Sequence, residues 1–128
     1  MAAEKPVPLR VLILEDRPDD ADQVIFELER AGFQPLWQRV ETEADYARQL
    51  QTAQYDVILS DDAMPSYNAL AALRCLSQLQ LDIPFIIVSG TMGEDSAVAA
   101  IHEGASDYLL KDRLGRLGPA VTDRKSVV

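Results

Sequence analysis

Five short strand-like runs, each followed by residues at helical spacing, constrain this chain more than any other feature. The runs are Leu9 to Leu14, Leu36 to Val40, Asp56 to Leu59, Phe85 to Val88 and Asp107 to Leu110. Those that are continuously apolar and carry β-branched residues suit strands buried on both faces. After the first run, Ala21, Val24, Ile25, Leu28 and Ala31 recur at helical spacing behind Pro18. Asp19 and Asp20 fall in that helix's first turn, where acids favour the helix dipole, and Gly32 stands where a C-terminal cap belongs. Thr42 with Asp45 resembles a capping box ahead of a helix that buries Tyr46, Ala47, Leu50 and Ala53. Ala69 to Gln80 and Glu94 to Glu103 read as the third and fourth helices. A last helix from about Arg113 contains Gly115, Gly118 and Pro119, so it is expected to be short or frayed. This alternation implies an α/β domain: a parallel sheet with helices on both faces and right-handed crossovers.

In such a sheet every strand starts at one edge and finishes at the other. The first residues past the strands are therefore brought to a common edge, which is where ligands bind in open α/β sheets. Here those residues are Glu15 and Asp16, Asp61 and Asp62, Ser89, and Lys111. Asp61 and Asp62 by themselves are equally well read as helix caps. Convergence with the other strand ends is what favours a functional reading. Glu15, Asp16 and Asp61 would crowd negative charge, which raises carboxyl pKa values or calls for a cation. A hard divalent ion fits, since Mg²⁺ takes one or two carboxylates and keeps waters and phosphate oxygens as its other ligands. No Cys/His cluster favours zinc. A carboxylate beside such an ion can attack a phosphoryl group and form an aspartyl phosphate. Lys111 would offer a cation and Ser89 a hydroxyl to the transferred oxygens.

Composition sets the limits. A chain of 128 residues fits one domain, and 48% hydrophobic with 26% charged residues can fill a core. A net charge of -9 opposes binding to nucleic acid or to anionic membranes. Cys75 is the single cysteine, so no internal disulfide forms and a reducing compartment is expected. No run approaches the roughly 20 apolar residues of a membrane span. Met1 to Pro8 lacks the apolar core of a signal peptide, so the expected location is cytoplasmic.

The acid pair after the first strand, Asp61-Asp62-Ala63-Met64-Pro65, the hydroxyl of Ser89 and Gly104-Ala105-Ser106-Asp107-Tyr108-Leu109-Leu110-Lys111 together resemble a response-regulator receiver domain of two-component signalling. The resemblance runs from about Pro8 to about Val121. It implies a flavodoxin-like doubly wound sheet of five parallel strands in the order 2-1-3-4-5. Residues 9–122 would form the domain, 1–8 a disordered or extended N-terminus, and 123–128 a tail or the start of a linker. By the resemblance Asp61 is the phosphoacceptor. Glu15, Asp16, Asp61 and the backbone carbonyl of Ala63 hold Mg²⁺ (or Mn²⁺). Ser89 and Lys111 bind the phosphoryl group, and Ser89 and Tyr108 form a switch that alters the face of the fourth helix, fifth strand and last helix. The implied partner is a histidine kinase or histidine phosphotransfer domain, with room for a covalently linked output domain outside this chain and for a homodimer. Neither nucleic acid nor membrane is expected as a partner. The domain would catalyse its own phosphorylation and dephosphorylation without being a turnover enzyme.

Several residues depart from the family pattern. Asp62 stands where an apolar residue is usual and reads as a solvated loop acid. Asn68-Ala69 replaces Asp-Gly, Gly90 replaces a frequent alanine, and Asp112 replaces the proline after the lysine. A cis Lys111-Asp112 bond would cost about 3 kcal/mol. The runs Val88 to Glu94 and Lys111 to Leu114 resemble receivers fused to sensor kinases or other signalling domains. Two rival readings are an interaction-only pseudo-receiver and an Mg²⁺-dependent phosphohydrolase. The second lacks the usual second acid, because Ala63 follows Asp61 at that spacing. Asp19 and Asp20 read as helix-start charges, Tyr108 equally as a static strand aromatic, and Trp37 as a packing residue.

Overall fold

The computed structural model describes residues 5–62, 64, 67–90 and 94–125. Elements follow in the order β1 (Val7–Leu14), α1 (Pro18–Arg30), β2 (Phe33–Val40), α2 (Glu43–Thr52), β3 (Val57–Asp61), α3 (Ala69–Gln78), β4 (Phe85–Ser89), α4 (Glu94–His102) and β5 (Asp107–Leu110). A single 3₁₀ turn, Leu114–Arg116, then leads into α5 (Leu117–Lys125). The strands form one parallel sheet in the order β2-β1-β3-β4-β5. This is the doubly wound, flavodoxin-like order expected from the sequence.

The two-residue period of the strands divides the core. Leu9, Val11 and Ile13 of β1 join Ile86 and Val88 of β4 under Val24, Leu28, Leu117 and Val121 of α1 and α5. Leu12, Leu14, Phe85 and Ile87 face the other way, onto Tyr46, Leu50, Leu73 and Leu76 of α2 and α3. Because each central strand is covered on both faces, its sequence is a continuous apolar run. The register then levels the strand ends: Leu14 lies beside Ser60, Asp61 beside Val88, and Ser89 beside Leu110.

Element boundaries differ from expectation where tertiary context overrides local preference. β2 starts at Phe33, ahead of the expected Leu36, and β1 starts at Val7, pairing with Phe33. Pro35 is tolerated inside β2 because an edge strand has one side without a partner strand. Thr42 caps α2 by accepting from the Asp45 amide at 3.2 Å. Asp45 turns its carboxylate to Arg48 at 3.1 Å, so the expected capping box is only half built. Asn68 caps α3 by accepting from the Ala71 amide at 2.8 Å. Gly32, following α1, adopts φ +99°, a left-handed conformation that a side chain would strain. No peptide bond among the described residues is cis, so Lys111-Asp112 is trans. None of their helices is long and apolar enough to cross a membrane.

The last helix is short, nine residues, and starts only after the 3₁₀ turn. Gly118 and Pro119 both lie in the first turn of α5, where the missing proline N–H has no intrahelical partner to lose. Gly118 is needed for close approach. A Cβ there would stand 2.6 Å from the Cβ of Ala31, just past the end of α1. Gly118→Ala is therefore expected to destabilise the fold by about 1–3 kcal/mol through overpacking, despite alanine's better helix propensity. Urea unfolding checks this, with Ala31→Gly in the same chain expected to restore part of the loss.

Candidate acidic site at the sheet edge

Each site residue is placed by the end of a buried element. Glu15 follows Leu14 out of β1, and its amide donates to the Val40 carbonyl at 3.1 Å. It stays almost fully buried. Asp61 is the last residue of β3, and Ser89, fully buried, is the last of β4. Lys111 follows Leu110 out of β5, with its amide donating to the Ser89 carbonyl at 2.7 Å. The levelled strand ends thus become one cluster. Glu15, Asp16 and Asp61 each offer an oxygen, and these oxygens lie within 4.8 Å of one another.

The Lys111 ammonium bridges this cluster. Its Nζ lies 2.7 Å from Glu15 Oε1, 2.7 Å from Asp20 Oδ2 and 3.5 Å from Asp61 Oδ2. The Lys111 and Asp61 side chains are only 18% and 12% exposed, so water screens this attraction weakly. Burial opposes the charge on Lys111, but hydrogen bonds to Asp20 and Glu15 hold it well above the ordinary lysine range. Burial also pushes the Glu15 carboxyl from 4.5 up to about 7, with the Lys111 hydrogen bond opposing and Asp61 reinforcing the rise. The two shifts have different causes: burial raises Glu15, while hydrogen bonds to the surrounding acids raise Lys111.

Two acids make contacts that the sequence reading did not give them. Asp20 stands in the first turn of α1 as expected and also bonds Lys111. Pro18 starts α1 directly after β1, and one turn carries Asp20 back over the sheet edge. The signal available in the sequence was this short spacing from the acid pair. Asp62 is not a solvated loop acid. Its Oδ2 accepts from the Tyr108 hydroxyl at 2.9 Å and lies 3.5 Å from Ser89 Oγ. Nothing in the local sequence placed Asp62 near Tyr108, because that contact spans two strands of the sheet. Burial raises the Tyr108 phenol above its ordinary value, with hydrogen bonding to Ser89 opposing and to Asp62 reinforcing. Ala63, expected to contribute its carbonyl, lies outside the described residues. Among the described residues, an added Cβ at Gly90 would meet only Lys111 Cδ, at 3.9 Å, an ordinary van der Waals contact.

Comparison with known proteins gives a consistent result. The family model for the response regulator receiver domain matches residues 11–121. The phosphate regulon transcriptional regulatory protein PhoB of Klebsiella pneumoniae is 34% identical over 104 residues, covering 80% of this chain and 44% of that protein. The chain therefore spans less than half the length of this curated relative. The receiver domain of the putative response regulator NarL from Mycobacterium tuberculosis superposes with a TM-score of 0.80 at 22% identity, covering 95% of this chain and all of that one. The signal receiver domain of a signal transduction histidine kinase from Syntrophus aciditrophicus gives 0.76 at 28% identity, covering 92% and 90% of the two chains.

The Glu15 shift has a measurable consequence for stability. A carboxyl that holds its proton more tightly in the fold than in the unfolded chain stabilises the fold while protonated. That stability is fully present below 4.5 and is lost as pH rises towards and through about 7. In chelator, Glu15 should therefore lower wild-type stability by about 1–3 kcal/mol across that window. Glu15→Gln should flatten this part of the profile, as read from urea midpoints at a series of pH values.

Proposed function

Because the chain belongs to the response regulator receiver domain family, we propose that it accepts a phosphoryl group on Asp61 from the phosphohistidine of a histidine kinase or histidine phosphotransfer domain in the cytoplasm. The observation that carries this reading is the setting of Asp61. It is a nearly buried carboxylate, 3.5 Å from the Lys111 ammonium, with oxygens of Glu15 and Asp16 within 4.8 Å. Receiver domains are signalling domains, and the event proposed here is a transfer rather than a turnover reaction. An Asp61 oxygen attacks phosphorus, the phosphorus–nitrogen bond of the donor breaks, and its electron pair leaves with the histidine.

The donor chemistry of the cluster fits a hard divalent cation, Mg²⁺ or Mn²⁺. Every side-chain ligand offered is a carboxylate oxygen, and the site has more negative charge than Lys111 balances. Glu15, Asp16 and Asp61 would hold the ion, with the Ala63 carbonyl as the remaining expected ligand. When bound, the ion would offset charge on the phosphoryl oxygens. Lys111 supplies a fixed positive charge beside Asp61 and Ser89 a hydroxyl donor. Phosphorylation adds negative charge at Asp61, which shifts the balance among Lys111, Ser89 and Tyr108 and biases the face built from α4, β5 and α5. That face already exposes Val98 and Ile101, apolar side chains suited to a partner or a second copy.

Intact mass after incubation with acetyl phosphate and Mg²⁺ tests the reading. A phosphate-sized gain is expected in wild type and in Asp62→Asn. Asp61→Asn, and wild type in chelator, should show none. If every sample stays at its starting mass, and beryllofluoride with Mg²⁺ also fails to bind wild type, the interaction-only reading replaces this one.

A further inference from the structure

Tyr108 lies on β5 beside Ile87 of β4, yet its hydroxyl reaches past the end of β4 to the residue that follows β3. The contact is a 2.9 Å hydrogen bond to Asp62 Oδ2, and the same oxygen lies 3.5 Å from the Ser89 hydroxyl. Asp62 is partly buried, so water competes weakly for this bond. The three side chains form one set, since the Tyr108 hydroxyl also hydrogen-bonds Ser89.

We propose that Asp62 is a positioning residue: its side chain holds the Tyr108 ring over the sheet edge and engages the Ser89 hydroxyl. Asp62 thus supplies from within the chain an acceptor at the place where Ser89 and Tyr108 meet. Two consequences follow. The placement of Tyr108 depends on its hydrogen bond to Asp62. Ser89 must also exchange Asp62 for the phosphoryl oxygens when the site is loaded, so Asp62 competes with the incoming group. The first consequence stands on the geometry alone, while the second rests on the phosphoacceptor reading above.

Ring ¹³C–¹H spectra of tyrosine-labelled protein, recorded without metal or phosphoryl analogue, test the first consequence. Tyr108→Phe assigns the signal. Asp62→Ala should move the Tyr108 ring signals towards unstructured positions. Asp62→Asn, whose amide oxygen still accepts from the phenol, should retain at least half of the displacement. Tyr108 signals that superpose in wild type and Asp62→Ala, with the amide spectrum of the sheet unchanged, would overturn the proposal. So would equal movement in the alanine and asparagine variants, since the hydrogen bond would then not be the cause. Beryllofluoride binding with Mg²⁺ tests the second. Asp62→Ala should bind several-fold more tightly than wild type, with Asp62→Asn between them, and equal affinity in all three removes the competition. Failure of the ring measurement leaves the acceptor assignment intact, because that assignment fails only through an absent mass gain and absent beryllofluoride binding in wild type.

Discussion

One ammonium serves four carboxyl groups at the edge of this sheet, and the rest of the site is arranged around that imbalance. Lys111 reaches Glu15 and Asp20 at 2.7 Å and Asp61 at 3.5 Å, while Asp16 completes the acidic side. Removing water from such a group is unfavourable unless charge is matched. Burial raises the Glu15 carboxyl to about 7, and Lys111 is anchored to two acids at once. A divalent cation or a phosphoryl group changes the same balance, one by adding positive charge and the other by adding negative charge. The site is thus built to register charge.

The sheet is what makes that possible. A one-residue slip of a strand covered on both faces would turn every side chain onto the opposite helix layer and break the packing of both. The register of β1, β3, β4 and β5 is therefore held by the core, and the polar residues just past each strand inherit a fixed relative position.

This explains what could be read in the sequence. The layer arrangement and the grouping of Glu15, Asp16, Asp61, Ser89 and Lys111 follow from apolar runs and from the residues that end them, whereas the strand order came from the family resemblance. The lysine partner of Asp20 and the partly buried setting of Asp62 were missed because their neighbours come from elsewhere in the chain. Asp20 meets a lysine on β5, and Asp62 meets a phenol two strands away. Periodicity reports which face a residue occupies on its own element, not which side chain approaches from another. The start of β2 was hidden for a related reason, since Pro35 is acceptable only to a strand at the edge. Gly118 looked like a helix breaker until Ala31 supplied the reason for a missing side chain.

Helix α1 has a mechanical role that its amphipathic pattern does not announce. Its first turn is tied to Lys111 through Asp20, and its far end is wedged against α5 where Ala31 meets Gly118. A helix of 13 residues spans roughly 20 Å and is stiff over that length. Pinned at both ends, it acts as a strut between the acidic pocket and the C-terminal helix. Its two ends therefore touch the pocket and α5 on the face of the sheet opposite the one against which Tyr108 packs.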